Sequence, residues 1–254
     1  MKISIITAVY NRERTIGDTV QSVLSQTYSN SEYIVQDGGS TDRTLDILRT
    51  QQDPRVFLIS EKDSGIYDAI NRGLHRASGD IVGLLHSDDI YARKDVLEKV
   101  ALAFENPLID CVYGDLQYVA AEDMTRVIRH WTSGSFERGR LGEGWMPPHP
   151  TFYIRRHLLD CYGYYDTSFQ IAADYDAMLR WLWTYSLQPH YIPCVLVKMR
   201  VGGESNRSIG RLVQKSREDY RALRRHGVGG LGTLARKNFR KLSQFYPKQR
   251  IDEG

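Results

Sequence analysis

The chain opens on an alternation of short apolar runs and amphipathic stretches. Residues 3–9 are rich in β-branched side chains and read as a strand, while 15–25 carry Ile16, Val20, Val23 and Leu24 at helical spacing. Residues 32–36 predict a second strand, stopped by Asp37-Gly38-Gly39, and Thr41 and Asp42 can cap a helix through Leu45, Ile47 and Leu48. A strand at 56–60, a helix at 64–77 with Ile66, Ala69, Ile70 and Leu74 on one face, a strand at 80–86 and a helix at 96–104 follow. This rhythm predicts an α/β fold, a mostly parallel sheet with helices on both faces. Past Asn106-Pro107 the pattern changes. Residues 111–119 and 125–131 look like strands of a more antiparallel region, and 133–150 are rich in Gly and Pro and read as a mobile loop. A strand at 151–154 and a helix at 174–185 are expected next. From Ser205 onward the chain reads as helical and basic, with a break at 227–230. The expected division is therefore 1–105, 106–204 and a tail, 205–254.

At 254 residues, 41% hydrophobic and 26% charged, the composition is that of a soluble globular protein. Cys111, Cys161 and Cys194 are odd in number and lack metal-ligand spacing, which argues against a disulfide framework or structural zinc and fits a reducing compartment. The first apolar run is too short for a signal peptide, and nothing approaches a membrane span. A cytoplasmic location is expected. The net charge of +3 conceals an uneven distribution, because residues 206–250 hold thirteen Lys and Arg against only Glu218 and Asp219. A basic tail suggests an anionic partner.

The most informative chemistry lies where the run 80–85 ends at Asp88-Asp89. A buried strand that stops at two carboxylates brings like charges together, and a divalent cation with oxygen ligands is the simplest compensation. The C-terminal ends of strands in an open α/β sheet are also where nucleotides bind. Asp37-Gly38-Gly39 lies at such an end, although Asp-Gly-Gly is equally a common turn. No GxGxxG follows the first strand, so a dinucleotide fingerprint is missing.

Four motifs occur in order: Thr7-Ala8-Val9-Tyr10-Asn11; Val35-Gln36-Asp37-Gly38-Gly39-Ser40-Thr41-Asp42; Asp63-Ser64-Gly65-Ile66-Tyr67-Asp68-Ala69-Ile70-Asn71-Arg72-Gly73; and Ser87-Asp88-Asp89. Together they resemble the family 2 glycosyltransferases of GT-A fold, in particular bacterial enzymes of polysaccharide and glycolipid assembly. The resemblance is strong over 1–105, looser to about 204, and does not extend to the tail. It implies a Rossmann-like mixed sheet and a nucleotide-sugar donor, UDP-linked as the first expectation. Thr7, Ala8, Tyr10, Asn11, Asp37 and Asp63 would line the nucleotide pocket, Asp88 would face the ribose, and Asp89 would hold Mn²⁺ or Mg²⁺ on the diphosphate. His86 and Ser87 stand where many such enzymes carry another acid or Asn. An inverting transfer also needs a base for the acceptor hydroxyl. In the family this is an acid at the start of a helix, usually within a Glu-Asp pair; Asp174 matches the Asp, and Ala173 replaces the Glu. Asp176 is the rival, with Arg180 one turn beyond as a structural partner.

His149, in Pro147-Pro148-His149-Pro150, and Trp145, on the Gly/Pro-rich loop, are candidates for acceptor contact, and the loop for a lid. His86 and His190 have weaker cases, and Trp181 and Trp183 read as core. In the tail, Leu231, Leu234, Phe239, Leu242, Phe245 and Tyr246 recur near helical spacing among Arg and Lys. Such a helix suits an anionic membrane surface or packs on the body with a solvated basic face. The predicted function is metal-dependent hexosyl transfer to a saccharide or a polyprenyl- or lipid-linked acceptor. The alternatives are a non-catalytic nucleotide-sugar scaffold and, more distantly, a nucleic-acid-associated protein acting through the tail.

Overall fold

In the computed structural model, residues 1–201 and 209–243 are described. Four parallel strands, β1 (Ile3–Val9), β2 (Ser31–Asp37), β3 (Val56–Ser60) and β4 (Ile81–Leu84), alternate with helices α1 (Ile16–Leu24), α2 (Thr44–Arg49) and α3 (Ile66–Arg76). β5 (Ile90–Tyr91) and α4 (Val96–Ala103) close this half. Then come β6 (Cys111–Val119), β7 (Val127–Trp131), α5 (Gly139–Gly142), β8 (Tyr153–Arg155), α6 (Arg156–Tyr162), α7 (Ala173–Leu179), β9 (Pro189–Arg200), α8 (Ile209–Arg225) and α9 (Leu231–Ser243).

The sheet runs β3-β2-β1-β4-β8-β6-β9-β5, with β7 also on β6. β1 pairs in parallel with β2 and β4, and β2 with β3, so their C-terminal ends share one edge. β8 reverses the direction against β4, and β5 returns against β9. The expected mixed, mostly parallel sheet is thus present.

Alternation along β1 divides the core. Ile3, Ile5 and Val9 face a cluster with Val20 and Val23 of α1 and Val96, Leu97 and Val100 of α4. Ile6 faces the other layer, with Ile70 and Leu74 of α3, Leu159 of α6, Met178 of α7 and Leu223 of α8. Gly73 lets α3 settle on β1, since a Cβ there would come within 2.5 Å of Ile6 Cγ2.

Several elements depart from the sequence reading. β9, unpredicted, is twelve residues long. Its Pro193 lies where the β6 register skips from Gly114↔Ile192 to Asp115↔Val195, a bulge that needs no ladder N–H from proline. The helix expected at 174–185 is α-helical only to Leu179 and continues as a π-helical turn, Arg180–Thr184. Residues 133–150 are not a loose lid: Ser133, Leu141, Trp145 and His149 are all buried. In the tail, one of the two alternatives is seen for the described residues: α8 packs on α7 and buries Asp219, Ala222 and Leu223, while Thr233 and Lys237 of α9 are also buried. The expectations for Phe245 and Tyr246 fall outside the described residues.

Candidate active site

The turn after β4 decides what the acidic pair can do. The strand ends at Leu84, and the Asp89 N–H donates to the His86 carbonyl at 3.0 Å. The chain therefore bends before the acids, and their side chains part. Asp88 lines an open cleft of about 510 Å³, with Asn11, Arg12, Arg14, Asp18, Asp42 and Arg200 also on its walls. Asp89 is 0% exposed, and neither carboxylate oxygen has a hydrogen-bond partner. Burial pushes its carboxyl well above the usual range, Asp88 adds to the effect, and Arg200 opposes it. The sequence reading gave the metal to Asp89, but it is Asp88 whose carboxylate is presented to the cleft.

Arg200 was not anticipated, because β9 was not. The strand delivers it behind the turn, 7% exposed, where it donates to the Asp88 carbonyl at 3.0 Å and pairs with Asp18. Asn11 sits at φ 50°, its side-chain oxygen accepting the Thr41 N–H at 2.8 Å, which ties the β1 end to the β2 turn.

The other nucleotide candidates divide. Tyr10 is 55% exposed at the β1 end. Asp63 lies so close to Gly38 that a Cβ on that glycine would meet its Oδ2 at 2.3 Å. The ends of β1, β2 and β3 thus bring Tyr10, Asp37 and Asp63 to one edge. Asp37 is itself buried and occupied, accepting from the Gly39 and Ser40 N–H groups and from the Ser40 and Ser60 hydroxyls. Thr7 is turned inward, donating to the Leu85 carbonyl at 2.6 Å and accepting from Tyr33 at 2.9 Å. As a pocket-lining side chain it is corrected to a brace between β1 and β4. Ala8, half-buried, packs against the α3 layer.

A second group of residues gathers around the start of α7. Asp174 is half-buried in the first helical turn, and Tyr67 from α3 donates to the Ile171 carbonyl at 2.7 Å while lying 3.4 Å from Asp174 Oδ1. Asn71, one turn after Tyr67, exchanges hydrogen bonds with the Tyr165 backbone. The motif 63–73 therefore holds the segment that carries Asp174. His149 is buried, its Nε2 2.9 Å from the Tyr165 hydroxyl, and burial lowers its pKa to about 4, with Asp174 opposing and His86 contributing. The His86 and His149 rings lie 5.8 Å apart. Asp174 does not line the 510 Å³ cleft; the two histidines connect its neighbourhood to the acidic turn.

Two candidates change status. Asp176 is 0% exposed, 3.1 Å from both Arg225 Nη1 and His226 Nε2, and 4.0 Å from Arg180. It is consumed by structure, which leaves Asp174 as the available acid of the pair. Trp145 is only 6% exposed, with Arg140 over its ring and Tyr113 and Phe136 against it. It is core, not a platform for a sugar. The long-range partners of α7 gave no signal in the local sequence pattern.

Among the described residues no cluster of three His, Cys, Asp or Glu side chains is arranged to hold a metal, and no helix is long and apolar enough to cross a membrane.

Comparison with known proteins identifies the family and the fold. The sequence profile of glycosyl transferase family 2 matches residues 4–163. A PGL/p-HBAD biosynthesis glycosyltransferase of Mycobacterium bovis is 31% identical over 208 residues, 80% of this chain and 78% of the relative. An uncharacterized glycosyltransferase of Mycobacterium tuberculosis is 31% identical over 204 residues, 79% and 76%. Among solved structures, S. aureus TarS superposes with a TM-score of 0.67 at 21% identity, over 90% of this chain but only 39% of TarS. TarS 1-349 with UDP-GlcNAc gives 0.64 at 20% identity, over 90% of this chain and 66% of that one. The mannosyltransferase PcManGT of Pyrobaculum calidifontis, solved with GDP-Man and Mn²⁺, gives 0.67 at 18% identity, over 95% and 70%. The structural likenesses establish the fold, the sequence matches the family. The chain belongs to glycosyl transferase family 2 and is a glycosyltransferase built on the GT-A fold.

Proposed function

We propose that this enzyme is an inverting, metal-dependent glycosyltransferase that moves a sugar from a UDP-linked donor to a saccharide or lipid-linked acceptor. The observation that carries the reading is the state of the two acids on α7. Asp176 is locked into ion pairs, while Asp174 keeps its carboxylate half-exposed, with Tyr67 at 3.4 Å as its one direct hydrogen-bonding neighbour among the described residues. A carboxylate so placed can accept the proton of an acceptor hydroxyl as its oxygen attacks the anomeric carbon. One in-line displacement inverts the configuration there, giving a β-linkage from an α-linked donor.

The donor set fits a hard cation completed by substrate. Asp88 offers one carboxylate to the cleft, and Mg²⁺-like ions are commonly held by one or two carboxylates plus phosphate oxygens. When bound, such a cation stabilises the charge that develops on the departing diphosphate. Tyr10, Asn11 and Asp63 would frame the nucleotide at the strand ends, with Asp37 bracing the turn after β2 between them, and Arg200 steadies the turn that presents Asp88. Neutral His149 is suited to orient the acceptor or diphosphate. The UDP-GlcNAc of TarS 1-349 and the GDP-Man and Mn²⁺ of PcManGT support this reading.

Thermal stability of the full chain against a panel of nucleotide sugars, with and without Mn²⁺, tests it. One donor should raise the melting temperature only with metal present, by about 2.7 kcal/mol of added stability at 100 times Kd. No response to any nucleotide sugar would remove the proposal.

The tail adds a location. Lys215, Lys237 and Arg225 are committed to internal acids, which weakens the nucleic-acid alternative. Leu212, Val213 and Leu231 nevertheless remain exposed among exposed Arg211, Arg217, Arg224 and Arg236. We propose peripheral contact with an anionic membrane through this outer surface. The full chain should sediment with phosphatidylglycerol vesicles and not with neutral ones. Equal recovery with both would rule the contact out.

A further inference from the structure

We infer that α8 is a working part of the catalytic half and that Glu218 is a positioning residue, fixing the turn that presents Asp174. This rests on Asp174 being the base. α7 opens at Ala173 behind Ala172, an N-cap residue with no side-chain oxygen to offer. The segment leading into the helix is held from α8 instead. Glu218 accepts the N–H groups of Gln170, Ile171 and Ala172 at 3.2, 2.8 and 2.9 Å. Gln214, one turn earlier on α8, reinforces this by donating to both Gln170 Oε1 and Glu218 Oε1.

Ile171 is thereby held at both ends. Its N–H is bound by Glu218 from α8, and its carbonyl by Tyr67 from α3, the same hydroxyl that lies 3.4 Å from Asp174 Oδ1. Charge-assisted bonds of this kind are stronger than neutral ones, and negative charge is favourable ahead of a helix start. The far end of α8 grips α7 again, through Arg225 and, just past the helix, His226 on Asp176. One helix therefore sets both the entry and the seating of the short helix that carries Asp174. No residue of α8 lines the 510 Å³ cleft, so this function is separable from nucleotide binding.

A base displaced by about 1 Å costs on the order of 100-fold in rate. In the full chain, Glu218→Ala should lower kcat by about that factor while the Kd of the free nucleotide stays within about twofold. The donor is the nucleotide sugar that stabilises the protein most in the panel above, and turnover is followed by nucleotide release. Glu218→Gln keeps one accepting oxygen and should fall between the two, which also covers the case in which the alanine variant folds poorly. Amide hydrogen exchange at residues 170–174 should accelerate in both variants, a readout that needs no substrate. Wild-type exchange there, or faster exchange with kcat within twofold of wild type in both variants, would overturn the inference. Asp174→Asn separates the two ideas. Full turnover in that variant defeats the base assignment, whereas an inactive Asp174→Asn beside a fully active Glu218→Ala defeats only the role given to Glu218.

Discussion

Asp174→Asn is expected to abolish sugar transfer, by a factor of about 10² to 10⁴, while the protein still binds its nucleotide. The substitution is nearly isosteric, so Tyr67 can still donate to the Ile171 carbonyl and Glu218 can still hold the backbone ahead of α7. What disappears is an oxygen basic enough to take the acceptor's proton. Nucleotide binding should survive because Asn11, Asp88 and Arg200 line a cleft to which Asp174 does not contribute. Asp176→Asn provides the contrast. Its carboxylate is fully buried against His226 and Arg180, with Arg225 40% exposed at the edge. Removing that charge should cost stability, about 3 kcal/mol given the partial exposure of Arg225, with nucleotide affinity retained in whatever folds. Turnover, nucleotide affinity and thermal denaturation measured on both variants separate the roles. A non-catalytic scaffold would lose nothing measurable from Asp174→Asn, and that result would move the protein out of the proposed chemistry.

Why one acid of the pair stays accessible and the other braces could not be read from Ala173-Asp174-Tyr175-Asp176. Both lie in the first turn, and periodicity treats them alike. The decision comes from Arg225 and His226, some fifty residues later, and from Glu218 on the same helix. The first half of the fold was far more legible. β1, β2 and β4 are buried on both faces, β3 is a short edge strand, and Asp-Gly-Gly or Ser-Gly turns punctuate them, so run length and spacing suffice. β9 was missed because Pro189 and Pro193 speak against a strand locally, while the bulge that admits Pro193 is a property of its pairing with β6. Trp145 was misjudged for a related reason. Gly and Pro density marks irregular backbone, but irregular backbone can still be packed, here under Arg140 and against Tyr113.

Asp88→Asn is expected to remove the Mn²⁺-dependent part of donor stabilisation and to lower turnover by about 10² to 10⁴, the rate equivalent of the several kcal/mol that a Lewis acid supplies. Asp89→Asn should leave the metal dependence in place. Adjacency in sequence makes the two residues look interchangeable, yet the turn that begins at His86 sends them apart. A ligand must reach the diphosphate, and Asp88 lines the cleft whereas the Asp89 oxygens have no solvent-accessible surface through which a cation could approach. Asp89 is better understood as an anchor beneath the turn, its carbonyl accepting the Thr19 hydroxyl at 2.8 Å while Arg200 holds the carbonyl of Asp88. Titrating Mn²⁺ into each variant with the donor present, and following the melting temperature, distinguishes the assignments. Metal dependence lost in Asp89→Asn but kept in Asp88→Asn would mean that the turn rearranges on binding and that the buried acid is the ligand after all. Loss in Asp88→Asn alone would fix a site of one protein carboxylate completed by the diphosphate, in which metal binds weakly until the nucleotide arrives.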